Sequence, residues 1–103
     1  MKLVNIDYIP GKEFEVLGLV KGNVVRSKNF GHDLMAFFKI LIGGELLGYT
    51  EMIAEARQIA MKRMVDEAEA MEADAIINIR YASSTITSGA AEVIAYGTAV
   101  KYK

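Results

Sequence analysis

Apolar residues recur along this chain in two rhythms. Between residues 49 and 71, Met52, Ile53, Ala56, Ile59, Ala60, Met64, Ala68 and Met71 return every three or four positions, the period of one face of an α-helix. Much of that stripe is alanine, and small side chains on a buried face let a helix lie close against a sheet. The helix begins near Tyr49 and hands over to a strand at Ala75-Ile76-Ile77-Asn78-Ile79. On its polar face, Lys62 and Asp66, and Arg63 and Glu67, stand four residues apart and are placed to pair. A shorter helical pattern spans residues 33–42, with Leu34, Phe37, Phe38 and Leu41 at i, i+3, i+4 and i+7, and Gly43-Gly44 ends it.

The second rhythm has period two. Ile77, Ile79 and Tyr81 alternate with Asn78, Arg80 and Ala82. Glu92, Ile94, Tyr96, Thr98, Val100 and Tyr102 alternate with Val93, Ala95, Gly97 and Ala99, and Ser88-Gly89 between the two runs suits a hairpin turn. Residues 14–26 are rich in Val and Leu but contain Gly18 and Gly22. Gly22-Asn23 fits a two-residue hairpin turn. The same run also fits one long strand with glycines at bends or bulges, which the weak polar alternation around Gly22 favours. Pro10-Gly11 reads as a turn closing a short N-terminal extended piece. The order β-α-α-β-β predicts a single α+β domain over residues 1–103, a two-layer sandwich with an antiparallel sheet. The last strand is apolar or small on both faces. One face meets the helix, and the other is expected to meet a second subunit.

Composition narrows the function classes. The 103 residues include no cysteine, which excludes disulfides, thiolate metal sites and a cysteine nucleophile. Net charge is −1 from 12 basic and 13 acidic residues, so no basic face points to nucleic acid. The N-terminus, with one early lysine and no apolar core, does not read as a signal peptide, and no uncharged apolar run is long enough to span a bilayer. A cytoplasmic location is the expectation. At 52% hydrophobic residues the chain is slightly richer than most domains, which predicts an apolar surface patch covered by self-association or, less simply, by a ligand.

Several short motifs then combine. Ile9-Pro10-Gly11, Leu17-Gly18 with Val20 and Gly22, Gly43-Gly44 with Tyr49, Ala56-Arg57 and Ala60, Ala73-Asp74-Ala75-Ile76-Ile77, and Gly97-Thr98-Ala99-Val100 together resemble the small bacterial and archaeal YbjQ-like family, labelled heavy-metal-binding but otherwise uncharacterised. The resemblance runs nearly end to end. It implies a dodecin-like α+β subunit and a ring-shaped homo-oligomer, a pentamer, and carries no established activity. Three positions depart from the family pattern. Glu45 stands where a basic residue is usual after the glycine pair, Glu72 where glycine ends the helix, and Asp74 where asparagine follows. Helices often end on a left-handed glycine, so Glu72 either takes that conformation at about 1 kcal/mol or lets the helix run on.

The candidate chemistry is sparse. Heavy metals favour soft thiolates, and this chain has none. His32-Asp33 is the only His/carboxylate pair, with Asp33 also suited to capping the helix that follows; copies around a ring axis would be needed to supply three or four ligands. Met52, Met64 and Met71 lie on the helical core stripe as apolar filler. Gly43-Gly44 lacks phosphate-loop spacing, and Glu45 would repel an anion, so it reads as a helix break. Arg57 has no acid at i±3 or i±4 on its own helix, where Ile53, Ala54, Ala60 and Met61 stand, and its guanidinium suits an intersubunit carboxylate or a ligand. Ser83, Ser84, Thr85, Thr87 and Ser88 read as a polar hairpin tip, and Glu13 and Glu15 as a solvated strand edge. The leading expectation is a non-enzymatic homo-oligomer that binds a small ligand at subunit interfaces. Divalent or heavy-metal binding is the alternative, and an enzyme with an intersubunit site built on Arg57 and Tyr49 is the third class.

Overall fold

A computed structural model describes residues 1–27, 47–87 and 90–103. The elements are β1 (Lys2–Leu3), β2 (Phe14–Ser27), α1 (Leu47–Ala70), β3 (Ala75–Thr87) and β4 (Ala90–Tyr102). The sequence-predicted short helix of residues 33–42 and the Ser88-Gly89 turn lie outside the described residues. The four strands form one sheet in the order β1-β3-β4-β2. The three long strands pair antiparallel, as expected, while β1 joins β3 in parallel, so the sheet is mixed. With α1 on one face, the architecture is an α+β two-layer sandwich.

The N-terminal piece turns where proline and glycine place it. The Lys12 amide donates to the Ile9 carbonyl at 3.0 Å, and Gly11 has φ +75°, the left-handed third position of a type II turn with Pro10 before it. Beyond it β2 is one continuous strand of 14 residues, so Gly22-Asn23 is not a hairpin turn. A register shift between Val16 and Gly18 bulges Leu17 toward the helix side. Gly22 is where α1 crosses. A Cβ there would run into the Ala60 carbonyl oxygen and the Met64 amide nitrogen and come within 2.7 Å of Arg63 Cβ.

The centre of the helix stripe is fully buried. Ala56, Ala60, Met64 and Ala68 have no exposed surface, and Met52 is 7% exposed. These residues recur every fourth position, a ridge inclined about 26° to the helix axis, which lets the helix lie obliquely over β2 and β4. They pack on Val20, Val24, Ile76, Ile79, Val93, Ala95 and Ala99. Ile53 and Ile59 pack at the margins, but Met71 is exposed, because the helix ends before it.

That ending is a Schellman motif. The Ala73 amide donates to the Ala68 carbonyl at 3.1 Å and the Glu72 amide to the Glu69 carbonyl at 2.9 Å, with Glu72 at φ 60°. Glu72 therefore adopts the conformation that glycine takes without strain. The Lys101 ammonium donates to the Glu72 carbonyl at 3.0 Å, and the Asp74 carboxylate accepts the Tyr102 amide at 2.8 Å. These bonds tie the helix exit to the end of β4.

The simple alternation read for β3 does not survive folding. Ile77 pairs with Thr98 and Arg80 with Tyr96, so Asn78 and Ile79 together oppose Gly97. Asn78 takes φ 55°, and the extra residue reverses the alternation. Ile76 and Ile79 thus face the helix, whereas Ile77 faces the other way and packs with Ile9, Ala75 and Val100. Gly97 makes room for the bulge, because a Cβ there would lie 2.7 Å from Ile76 Cγ2 and 2.9 Å from the Ile77 carbonyl oxygen. Arg63 also departs from expectation. Its guanidinium donates to the Asn23 carbonyl at 2.7 Å instead of pairing with Glu67, while Lys62 and Asp66 do pair at 3.0 Å.

Candidate functional site

The sequence candidates do not converge on one described site. Arg57 is exposed on α1 and makes no ion pair or hydrogen bond among the described residues. Tyr49 lies in the first turn of α1, two turns from Arg57 and about 12 Å away along the axis. Gly43, Gly44, His32 and Asp33 lie outside the described residues. Ser83, Ser84 and Thr85 belong to β3 itself and not to a hairpin tip.

Two surfaces emerge from the fold instead. The first exists because one helix is about 10 Å wide and neighbouring strands are about 4.8 Å apart, so α1 covers roughly two of the four strands. It lies over β2 and β4 and barely touches β3. Beside it the N-terminal segment docks on β3: the Val4 amide donates to the Ile76 carbonyl at 3.0 Å, and the Ile79 amide to the Val4 carbonyl at 3.1 Å. Arg80 fastens that segment with a 2.8 Å bond to the Asn5 carbonyl. Between helix and segment runs a groove of about 410 Å³, lined by Leu3, Val4, Asn5, Ile6, Met61 and Ile79. Five of the six are apolar. Arg57 stands one turn before Met61, and residues four apart on a helix share a face with about 6 Å between their Cβ atoms. Arg57 is not one of the residues that line the groove, and only this spacing on α1 relates it to the groove.

The second surface is the sheet face opposite the helix. At one end, Ile9 and Val4 fold over it and bury Ile77 and Val100. Along the rest, register puts Val16, Leu19 and Val25 of β2 on the same side as Ile94, Tyr96 and Thr98 of β4. Val16 is 63% exposed, Leu19 70%, Val25 54% and Tyr96 38%. Lys21 and Arg80 flank Tyr96 in the register, so the patch is apolar with a cationic row across it. Sequence reading anticipated a two-sided β4 but placed none of the exposed residues of β2 on this face, because the Leu17 bulge changes which of them point outward.

The donor set does not fit a soft heavy-metal site. The chain has no cysteine and one histidine. Among the described residues no three His, Cys, Asp or Glu side chains gather within reach of one ion. Met64 and Met52 are buried in the core. No described helix is long and apolar enough to cross a membrane.

Comparison with known proteins places this fold. A family model described as "Putative heavy-metal-binding", of the YbjQ type, matches residues 1–103. A UPF0145 protein from Clostridium novyi is 60% identical over 101 residues, covering 98% of both chains. Another, from Alkaliphilus metalliredigens, is 59% identical with 99% of each chain covered, and one from Thermotoga maritima is 58% identical over 98% of this chain and 96% of its own. A solved structure from Pediococcus pentosaceus, a protein of unknown function in the DUF74 family, superposes with a TM-score of 0.67 at 15% identity, covering 100% of this chain and 98% of that one. That likeness shows the fold alone. On the end-to-end family match and these relatives, the chain belongs to the YbjQ-like family, whose members here carry the name UPF0145.

Proposed function

We propose that this chain is a non-enzymatic, cytosolic homo-oligomer, with the pentameric ring that the family resemblance implies, and that its helix-free sheet face is buried between copies. The observation that carries this reading is the row of Val16, Leu19, Val25 and Tyr96, all at least 38% exposed on one face. Three strands of about 14 residues span roughly 45 by 14 Å, about 650 Å² per copy, and less than that is open because Ile9 and Val4 cover one end; a standard interface takes roughly 800 Å² from each partner. Burying the Leu19 side chain alone contributes about 2 kcal/mol. The test is native mass spectrometry at micromolar protomer concentration. The expected result is a single assembly of five protomer masses; monomer alone would overturn the reading.

A small-ligand role rests on a separate observation, the apolar groove lined by Leu3, Ile6, Met61 and Ile79 beside Arg57. The chemistry suits a small apolar carboxylate, its tail in the groove and its charge on the guanidinium. Arg57→Ala is expected to abolish binding of short-chain carboxylates in calorimetric titration while leaving the assembly intact; equal binding by the variant would count against it. The metal alternative rests on the family label and on His32 and Asp33. It predicts stoichiometric metal in the purified protein, lost on His32→Ala.

A further inference from the structure

We propose that Asn78, Ile79 and Arg80 form a clasp that positions the N-terminal segment as the movable wall of the apolar groove, so that docking of this segment and binding of a ligand are coupled. The proposal rests on the small-ligand reading and names the residues that regulate that site.

The groove has two unlike walls. One is α1, which contributes Met61 and is fixed to the sheet through the fully buried Ala56, Ala60, Met64 and Ala68. The other is the N-terminal segment, which contributes Leu3, Val4, Asn5 and Ile6, four of the six lining residues. The Cα atoms of β1 come within 8 Å of β3, but none comes that close to α1. The segment's own side chains grip little. Leu3 is 40% exposed and Ile6 42%, and the first side chain to be buried is Ile9.

Backbone bonds hold the segment instead, and β3 departs from a regular strand to supply them. Successive amides of a regular strand point to opposite neighbours. Here two successive amides serve the same neighbour: the Asn78 amide donates to the Ile6 carbonyl at 3.0 Å, and the Ile79 amide to the Val4 carbonyl at 3.1 Å. The Arg80 guanidinium adds a bond to the Asn5 carbonyl at 2.8 Å. Three successive residues of β3 thus hold three successive carbonyls, and all three carbonyls belong to groove-lining residues. The bulge opposite Gly97 makes this possible. It puts Asn78 at φ 55°, a left-handed conformation that asparagine takes more readily than most residues. Without the clasp the second wall has no fixed place, and the groove becomes a shelf beside α1. A ligand whose aliphatic chain lies between Met61 and Ile6 therefore binds only the docked segment. By linkage, such a ligand also holds the segment down.

Octanoate is the probe, and hydrogen exchange at single amides of the full-length protein is the first readout. In the free protein the Asn78 and Ile79 amides are expected to exchange faster than the Met64 amide, which opens only with the whole core. Octanoate at about ten times its dissociation constant is expected to slow Asn78 and Ile79 by about tenfold, because opening must then release the ligand. Arg80→Ala leaves both amides in place. It is expected to speed their exchange and to weaken octanoate by about threefold or more in calorimetric titration, because only the docked fraction binds. Arg80→Lys keeps a donor for the Asn5 carbonyl and is expected to restore most of the affinity. Three results overturn the clasp alone: octanoate that binds without slowing Asn78 and Ile79, clasp amides no faster than Met64, or Arg80→Ala binding as tightly as the wild type. A wild type that does not bind octanoate overturns this proposal and the small-ligand reading together.

Discussion

Gly22→Ala is the sharpest single perturbation of this fold. The new Cβ would strike the Ala60 carbonyl oxygen and the Met64 amide nitrogen and sit 2.7 Å from Arg63 Cβ, where carbon pairs prefer 3.5–4.0 Å. Two of those three atoms are helix backbone, so no rotamer change relieves the collision, and α1 must retreat by about 1 Å. A gap of that size forfeits about a quarter to a half of each dispersion contact it opens. The loss falls on Ala56, Ala60, Met64 and Ala68, all fully buried, and on Val20 and Val24 beneath them. Overpacking of a core costs about 1–3 kcal/mol, and a collision with backbone belongs at the upper end. Replacing glycine also restricts the unfolded chain, which returns about 0.4–1 kcal/mol. The net expectation is a loss of about 2–3 kcal/mol, equivalent to a fall in Tm of about 10–20 °C for a domain of this size. The assay is urea unfolding followed by circular dichroism, at fixed protomer concentration because self-association adds to apparent stability. Glu67→Ala, an exposed position on the solvent side of α1, is the control and should stay within about 0.5 kcal/mol. A Gly22→Ala loss below about 0.5 kcal/mol would refute the close helix–strand crossing.

Further consequences are as specific. Glu72→Gly should stabilise the protein by about 1 kcal/mol, because the Glu72 backbone at φ 60° is strained for any side chain while its Schellman hydrogen bonds need none; thermal melts that show no gain would contradict it. Asp74→Ala should cost about 1.5–3 kcal/mol in chemical unfolding by leaving the Tyr102 amide without its carboxylate partner. Gly97→Ala should destabilise by about 1–3 kcal/mol, since its Cβ meets Ile76 and the Ile77 carbonyl across the Asn78 bulge. Chelator treatment should leave the melting curve of the purified protein unmoved, whereas a structural metal site would show a clear drop.

The helix was the most legible part of the sequence, because its stripe and its neighbours are local. Ala56, Ala60, Met64 and Ala68 are buried as their spacing predicts. The long β2 was legible for a related reason, the weak polar alternation around Gly22. What escaped is what depends on pairing across the chain. The period-two pattern of Ile77, Ile79 and Tyr81 describes one face, but the unpaired residue at Asn78 turns Ile77 to the opposite side. Gly97 was the available signal, a glycine inside a strand that otherwise carries side chains. Met71 fits the helical period, yet the helix ends at Ala70, one residue before it. The serines and threonines of β3 read as a turn because their composition is polar, whereas in the structure they pair with β4. The groove was invisible for the same reason. Leu3 and Ile6 line it only because the N-terminal segment docks in parallel on β3, a contact between residues more than 70 positions apart. Arg57 drew notice from local spacing alone, because no acid stands at i±3 or i±4 on its helix.

The central claim is that the open sheet face is buried in an assembly of identical copies, and Leu19→Glu tests it most directly. Leu19 is 70% exposed in the single chain and sits within the apolar row. In a monomer the change is a surface substitution and should be nearly silent. In an assembled interface it buries a carboxylate without a partner and should cost several kcal/mol of association. Sedimentation velocity at micromolar concentration should find the wild type as one large species and Leu19→Glu as folded monomer with an unchanged far-ultraviolet spectrum. Identical sedimentation of the two proteins would contradict the claim.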